Sequence, residues 1–273
     1  MRVDLHIHSN NSDGTDSVEQ IIDSAVAKGL EVIAITDHDN VNGLSRANEY
    51  AEGKIALING MELSTFYAEA DNLEIHVLGY GLDYRSETLL AKTHELLDKR
   101  VERIKKILAN LRRENMYVGE SELDLTCAGR LQIAKIMVKR GYVHSISEAF
   151  DRYLGSAGSC FEPSNRIATL EGVEFLKSEG ATPVLAHPEK YLKAGILEHL
   201  LDELLARGLG GMECYYPSHS SDVTRKLLAM ASERNLIATV GCDYHGKGVS
   251  NPLGVLNTEM KRSDIEVLMG HEF

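Results

Sequence analysis

Asp4-Leu5-His6-Ile7-His8-Ser9, followed at once by Ser12-Asp13-Gly14-Thr15, is the stretch on which the reading of this chain turns. The run Val3–His8 has the composition of a buried strand. Two histidines two positions apart on a strand face the same side. Such a pair offers two imidazoles to one metal ion. Alone it is weak evidence, because a strand histidine is more often a hydrogen-bonded core or surface residue. The rest of the chain decides what the pair means.

Short runs rich in Val, Ile and Leu recur downstream. Strands are expected at Val3–His8, Val32–Thr36, Ile55–Gly60, Ile75–Gly79, Pro183–His187, Gly211–Tyr215 and Ile237–Gly241. Amphipathic segments separate several of them. The clearest is Ser17–Lys28, with Val18, Ile21, Ile22 and Ala25 on one face, Ser17 and Gln20 spaced as a capping box, and Gly29 where a helix should stop. Strand–helix alternation with near-continuous apolar strands argues for an α/β protein with a parallel sheet covered on both faces. Seven such units point to a closed or nearly closed barrel, with an open doubly wound sheet as the competing architecture.

One region breaks the rhythm. Arg85–Glu114 is highly charged and helical in period, and helical segments follow near Leu131–Lys139 and Ser145–Leu154. No strand is expected from Asp83 to Phe161. Residues 1–82 and 162–273 are therefore assigned to the barrel, and 83–161 to a helical, lid-like insertion.

The chain has 273 residues, 43% of them hydrophobic, which suffices for a full core. Its net charge of -12 argues against a large basic face for long nucleic acid, though a small anion remains acceptable where metals reverse the local field. No apolar run reaches the roughly 18 residues of a membrane helix, and no signal peptide is apparent, so a cytoplasmic protein is expected. Cys127, Cys160, Cys214 and Cys242 form no CxxC pair and are expected to be reduced, in or near the core.

The histidines are unevenly placed. His6, His8, His38, His187 and His245 fall at or just beyond expected strand C-termini, and His76 within the fourth strand run. Asp13, Asp37, Glu62 and Asp243 accompany them. In a parallel barrel these positions converge on the C-terminal mouth. Imidazole and carboxylate suit zinc, iron or manganese, and so many donors exceed the need of one ion. Two or three divalent ions are implied, and paired ions about 3.5–4 Å apart serve phosphoryl displacement. Neither a nucleophile elbow nor a Walker loop offers a rival chemistry.

With Ile35-Thr36-Asp37-His38-Asp39, Gly60-Met61-Glu62, Ala186-His187-Pro188 and Gly241-Cys242-Asp243-Tyr244-His245-Gly246 following in order, the sequence resembles the PHP (polymerase and histidinol phosphatase) family over nearly its whole length. The resemblance implies a distorted seven-stranded TIM-like barrel, a trinuclear metal site and metal-dependent phosphate ester hydrolysis. It implies that His6, His8, Glu62 and Asp243 hold one ion. Glu62, His76 and His187 would hold a second, and Asp13, His38 and His245 a third. Some relatives carry His in place of Asp13.

The insertion is similar to that of stand-alone members acting on nucleotides, through Gly129-Arg130-Leu131-Gln132-Ile133-Ala134, Lys139-Arg140-Gly141-Tyr142-Val143 and Glu148-Ala149-Phe150-Asp151-Arg152-Tyr153-Leu154. Tyr216-Pro217-Ser218-His219-Ser220 matches the same group. There Arg130 and His219 would contact substrate phosphate, and a guanidinium fork suits phosphate. Gln132 departs from a commoner His, Cys242 from Ser and Tyr244 from Phe. The expected activity is release of phosphate from a small nucleotide such as a 3′,5′-nucleoside bisphosphate. Asp13, His38, Arg130 and His219 are the candidate catalytic side chains, with Asp13, His38 and His219 as candidate general acids. Histidinol phosphate hydrolysis and 5′-to-3′ trimming of short oligonucleotides are the alternatives. A non-catalytic metal-binding module is the reading of a different class.

Overall fold

The computed structural model describes residues 1–70, 73–125, 129–163, 166–248 and 251–271. Cys127 lies outside these residues; Cys160, Cys214 and Cys242 are buried free thiols. The chain divides into two compact units. One comprises Met1–Thr93 with Ile167–Phe273, the other His94–Arg166.

The first unit carries strands β1 (Val3–Asp4), β2 (Val32–Ile35), β3 (Ala56–Tyr67), β4 (Leu73–Tyr80), β5 (Ile167–Ala168), β6 (Thr182–Leu185), β7 (Gly211–Tyr215) and β8 (Ile237–Val240). Along the chain the helices are α1 (Val18–Ala27), α2 (Leu44–Ala51), α3 (Glu87–Arg113), α4 (Arg130–Lys139), α5 (Ile146–Ala149), α6 (Thr169–Ser178), α7 (Glu189–Lys193), α8 (Leu197–Ala206), α9 (Ser221–Glu233) and α10 (Arg262–Met269). None is long and apolar enough to cross a membrane.

The sheet runs β1-β2-β3-β4-β6-β7-β8. Its ends meet: Leu5 N–H donates to Val240 O at 2.9 Å, and Ile7 pairs with Tyr244 in parallel. The result is a nearly closed seven-stranded barrel. Val3 and Leu5 pack with Val32, Ile58, Leu78, Val184 and Val240, and Ile265 and Leu268 of α10 join this core. Buried Tyr80 ties the interior together by donating to Leu5 O at 2.7 Å.

Two features depart from an all-parallel barrel. β4 pairs antiparallel with both β3 and β6. The cause is connection length. β3 extends to Tyr67, well past the expected end at Gly60, so only residues 68–72 separate it from β4. A parallel return needs a crossover of about a dozen residues or more; so short a link allows only a reversal. The second departure is β5, a two-residue strand missing from the sequence reading, which pairs with β3 off the main path.

The second unit holds α3 from His94 onward, α4, α5 and a π turn at Phe150–Leu154. It has its own core, including Ile107, Leu111, Ile133, Met137 and Leu154. Among the described residues no strand lies between Asp83 and Phe161.

α1 buries Val18, Ile21, Ile22 and Ala25, and its capping box is formed: Gln20 N–H reaches Ser17 Oγ and Ser17 N–H donates to Gln20 Oε1 at 2.8 Å. Ser17→Ala is expected to cost about 1 kcal/mol of stability, read from the urea midpoint at unchanged slope.

Candidate metal centre

The mouth of the barrel is built from chain that outruns its strands. After β1 the backbone stays extended, with His8 N–H donating to Tyr244 O at 2.8 Å and Thr36 N–H to Ile7 O at 2.8 Å. His6 and His8 are thereby wedged between the ends of β2 and β8, both fully buried. Glu62 lies inside β3 rather than beyond its end, and Asp39 N–H donates to its carbonyl. His76 sits midway along β4, which runs backward and pairs it with Ser64, two residues past Glu62 in β3. His187 and Asp243 follow β6 and β8 with φ of 31° and 54°. Such values are uncommon for residues with a Cβ and concentrate at functional sites.

The Glu62 carboxylate is the hub. Its Oε2 lies 3.3 Å from His6 Nε2, 3.2 Å from His8 Nε2 and 3.1 Å from His38 Nδ1. Its Oε1 lies 2.9 Å from His76 Nδ1 and 3.1 Å from His187 Nε2. Asp243 Oδ1 stands 3.4 Å from His6 Nε2 and 3.2 Å from His8 Nε2. Beside it, Asp13 Oδ1 is 3.2 Å from His245 Nε2, while its Oδ2 is 3.8 Å from His38 Nε2. The donor atoms of His6, His8, Glu62 and Asp243 lie within 4.8 Å of one another, as do those of His8, Asp13, His38 and His245, and those of His38, Glu62 and His76.

This arrangement fits divalent cations. His6 Nε2, both His8 nitrogens, Asp13 Oδ1 and His187 Nδ1 are buried without a hydrogen-bond partner. Buried polar atoms are normally satisfied, and each orphan calls for an explanation. A tetrahedral ion with bonds of about 2.1 Å spaces its ligand atoms roughly 3.4 Å apart, close to the separations around Glu62 Oε2. Clusters sharing Glu62 and His8 suit more than one ion.

The electrostatics agree. Burial works against charge on Glu62, but His76, His6 and His38 outweigh it and hold the carboxyl well below its usual range. Asp243 is likewise held down, by His6 and His8 against its burial. Burial opposes protonation of His8, yet Asp243 and Glu62 raise it to about 10. At His38 and His187 burial wins, pushing them down to about 4 and 3. The mouth is thus a set of carboxylates held in their ionised form, which favours protons on some of the imidazoles around them.

Several contributors escaped the sequence reading. Glu213, buried in β7, lies with Oε1 3.0 Å from His6 Nδ1 and accepts the His187 N–H through Oε2 at 2.7 Å. Tyr216 donates to Asp243 Oδ2 at 2.9 Å, leaving Oδ1 toward His6 and His8. Glu74 Oε1 lies 2.8 Å from His76 Nε2. A lone carboxylate in the otherwise apolar Gly211–Tyr215 run was the one signal available for Glu213. Asp37, noted among the candidate carboxylates, is a staple: it accepts from Ser9 N–H and Ser9 Oγ, each at 2.7 Å, and from Ser12 Oγ at 2.5 Å. It thereby fixes the loop that presents Asp13.

A cavity of about 400 Å³ opens on this cluster, lined also by Glu189, Lys190, Ser218 and His219. His219 Nδ1 lies 3.0 Å from Cys214 O, and a carbonyl only accepts, so that nitrogen carries the hydrogen. Its Nε2 is buried and unpartnered, and burial lowers its pKa. His219 thus presents an acceptor. Arg130 belongs to the helical unit, at the first residue of α4, where its guanidinium donates to Leu154 O at 3.2 Å and lies over Phe150.

Comparison with known proteins accords with this geometry. The PHP domain family matches residues 4–157. A phosphoribosyl 1,2-cyclic phosphate 1,2-diphosphodiesterase of Eggerthella lenta is 30% identical, over 89% of this chain and 94% of that protein. A 3′,5′-nucleoside bisphosphate phosphatase of Chromobacterium violaceum is also 30% identical, over 90% of this chain and 88% of that protein. A solved structure from Bifidobacterium adolescentis, of a candidate metal-dependent phosphoesterase, superposes with a TM-score of 0.80 at 25% identity, over 99% of this chain and 96% of that one. Fold, donor set and relatives together define a hydrolase of phosphate esters that depends on metal ions. The chain belongs to the PHP family.

Asp243 and Glu62 favour the protonated form of His8 against its burial, so uptake of a divalent ion is expected to displace that proton. Metal affinity is expected to rise with pH through the neutral range, with protons released on binding. Titration calorimetry in buffers of different ionisation enthalpy reads this directly; uptake without proton release would contradict it.

Proposed function

We propose that this chain removes phosphate from a small nucleotide, such as a 3′,5′-nucleoside bisphosphate, in the cytoplasm. The observation that carries the reading is the set of buried, unpartnered donor atoms around Glu62 and Asp243, opening onto a cavity of about 400 Å³. That volume suits a small ligand rather than a polymer. The net charge of -12 also disfavours long nucleic acid.

In this reading His6, His8, Glu62 and Asp243 hold one ion. Glu62 shares a second with His76 and His187, and Asp13, His38 and His245 hold a third. Bound there, manganese, zinc or iron supplies Lewis acidity toward the phosphate and lowers the pKa of water. The protein's own groups do the rest. Tyr216 keeps Asp243 Oδ2 occupied, so a single oxygen faces the cluster. Lys190 brings positive charge to the cavity and receives substrate phosphate, a role the motif resemblance also gives to Arg130. His219, neutral and offering an acceptor, takes a hydrogen from a substrate hydroxyl or a protonated phosphate rather than holding a bare phosphate oxygen. Among the three candidate general acids, the carboxyl of Asp13 lies well below its usual range, because His245, His38 and His8 outweigh its burial. Asp13 is thereby ionised, and burial works against the protonated form of His38 and of His219. We therefore assign none of them to protonate the leaving oxygen at neutral pH.

Phosphate release from adenosine 3′,5′-bisphosphate, histidinol phosphate and a 5′-phosphorylated trinucleotide is the direct test. The bisphosphate is expected to give the highest kcat/KM; a clear preference for either of the others selects that alternative. Chelation and Asp243→Asn should each lower phosphate release more than about 100-fold, and full activity after either would sink the mechanism. Lys190→Ala and Arg130→Ala should raise KM about tenfold each, the scale of one charged hydrogen bond, with metal content unchanged. Fewer than two ions per chain at saturation would favour a non-catalytic module.

A further inference from the structure

Glu213 contributes no atom to the groups of donor atoms, yet it touches His6, a member of one, and the backbone of His187, whose ring reaches Glu62. It is fully buried in β7. Its Oε1 lies 3.0 Å from His6 Nδ1, and a carboxylate oxygen only accepts, so Nδ1 carries the hydrogen. The His6 Nε2 lone pair is then left facing Glu62 Oε2 at 3.3 Å and Asp243 Oδ1 at 3.4 Å. The second oxygen acts through the backbone. It accepts the N–H of His187 at 2.7 Å, at a residue whose φ of 31° is unfavourable and needs an external hold. From that backbone His187 Nε2 reaches the other Glu62 oxygen at 3.1 Å. The space beside Glu213 is closed: a Cβ on Gly241 would lie 2.3 Å from Glu213 Oε1 and 2.4 Å from His6 Cβ.

We propose that Glu213 is a positioning residue that sets two ligands at once, the ring tautomer of His6 in one cluster and the backbone of His187 in the next. The proposal rests on the metal-centre reading above. It requires both oxygens to accept, and this makes the isosteric glutamine informative. Glutamine offers one acceptor and one donor group. With its oxygen on the His187 N–H, its amide hydrogens face His6 Nδ1 and drive the ring hydrogen to Nε2, where it blocks the lone pair. With the amide flipped, its hydrogens oppose the His187 N–H. Neither orientation serves both ligands.

The test is zinc binding by the full chain, with zinc content after dialysis and affinity by chelator competition. Wild type is expected to hold at least two ions. Glu213→Gln is expected to lose one of them or to bind it 10- to 100-fold more weakly, while the metal-free circular dichroism stays that of wild type. Equal stoichiometry and affinity in the two proteins would overturn the proposal. Fewer than two ions in wild type would instead overturn the metal-centre reading beneath it, so the two failures are distinct. A readout independent of the variant's folding is nitrogen-15 NMR of zinc-loaded wild type. A hydrogen on His6 Nδ1 is expected, and its absence there would refute the assignment.

Discussion

Five imidazoles converge on the two oxygens of Glu62, and Glu62 is 1% exposed. A charged carboxylate this deep is costly unless cations or hydrogen bonds surround it. The imidazoles do so only in part, since several of their buried nitrogens lack a hydrogen-bond partner within the chain. The barrel therefore holds in place a cluster that its own hydrogen bonds leave incomplete. Divalent ions bound there would complete it, and Glu62, whose two oxygens face different histidines, would link the sites to one another.

Topology supplies this convergence. Parallel strands deliver residues beyond their C-terminal ends, which accounts for His38, His187 and Asp243. They cannot bring two mid-strand residues face to face at the same mouth. The reversal of β4 does: Ser64 pairs with His76 two residues past Glu62, so carboxylate and imidazole meet across an antiparallel ladder. Among the described strands, the reversed β4 is also what brings His76 to Glu62.

That reversal was not legible in the sequence, for a physical reason. The segment Met61–Tyr67 mixes apolar and polar residues and reads as a loop when strands are sought as short apolar runs, although most of it is buried. With β3 cut short, the gap to β4 looked long enough for a crossover. Most of the candidate donors were easier to see, because they sit in short local motifs at or just beyond expected strand ends; His76, inside a strand run, is the exception. The groups that hold the donors were harder. Glu213 and Tyr216 act on His6, His187 and Asp243 from distant positions, and nothing in their immediate neighbours announces those partners. His219 was read as a residue type fitted for phosphate; its actual valence, an acceptor, depends on Cys214 O, a backbone atom invisible to any motif.

The relatives sharpen the division of labour between cluster and rim. Two proteins each 30% identical to this chain carry different names, a phosphoribosyl 1,2-cyclic phosphate 1,2-diphosphodiesterase and a 3′,5′-nucleoside bisphosphate phosphatase. A buried, mutually dependent donor set tolerates little change, because removing one partner strands the charges of the rest. Rim side chains such as Lys190, Ser218 and His219 belong to α7 or to the segment after β7, and none of them joins the clusters of donor atoms. Exchange at those positions leaves the contacts around Glu62 in place, so the lining of the cavity can vary while the buried donor set stays the same.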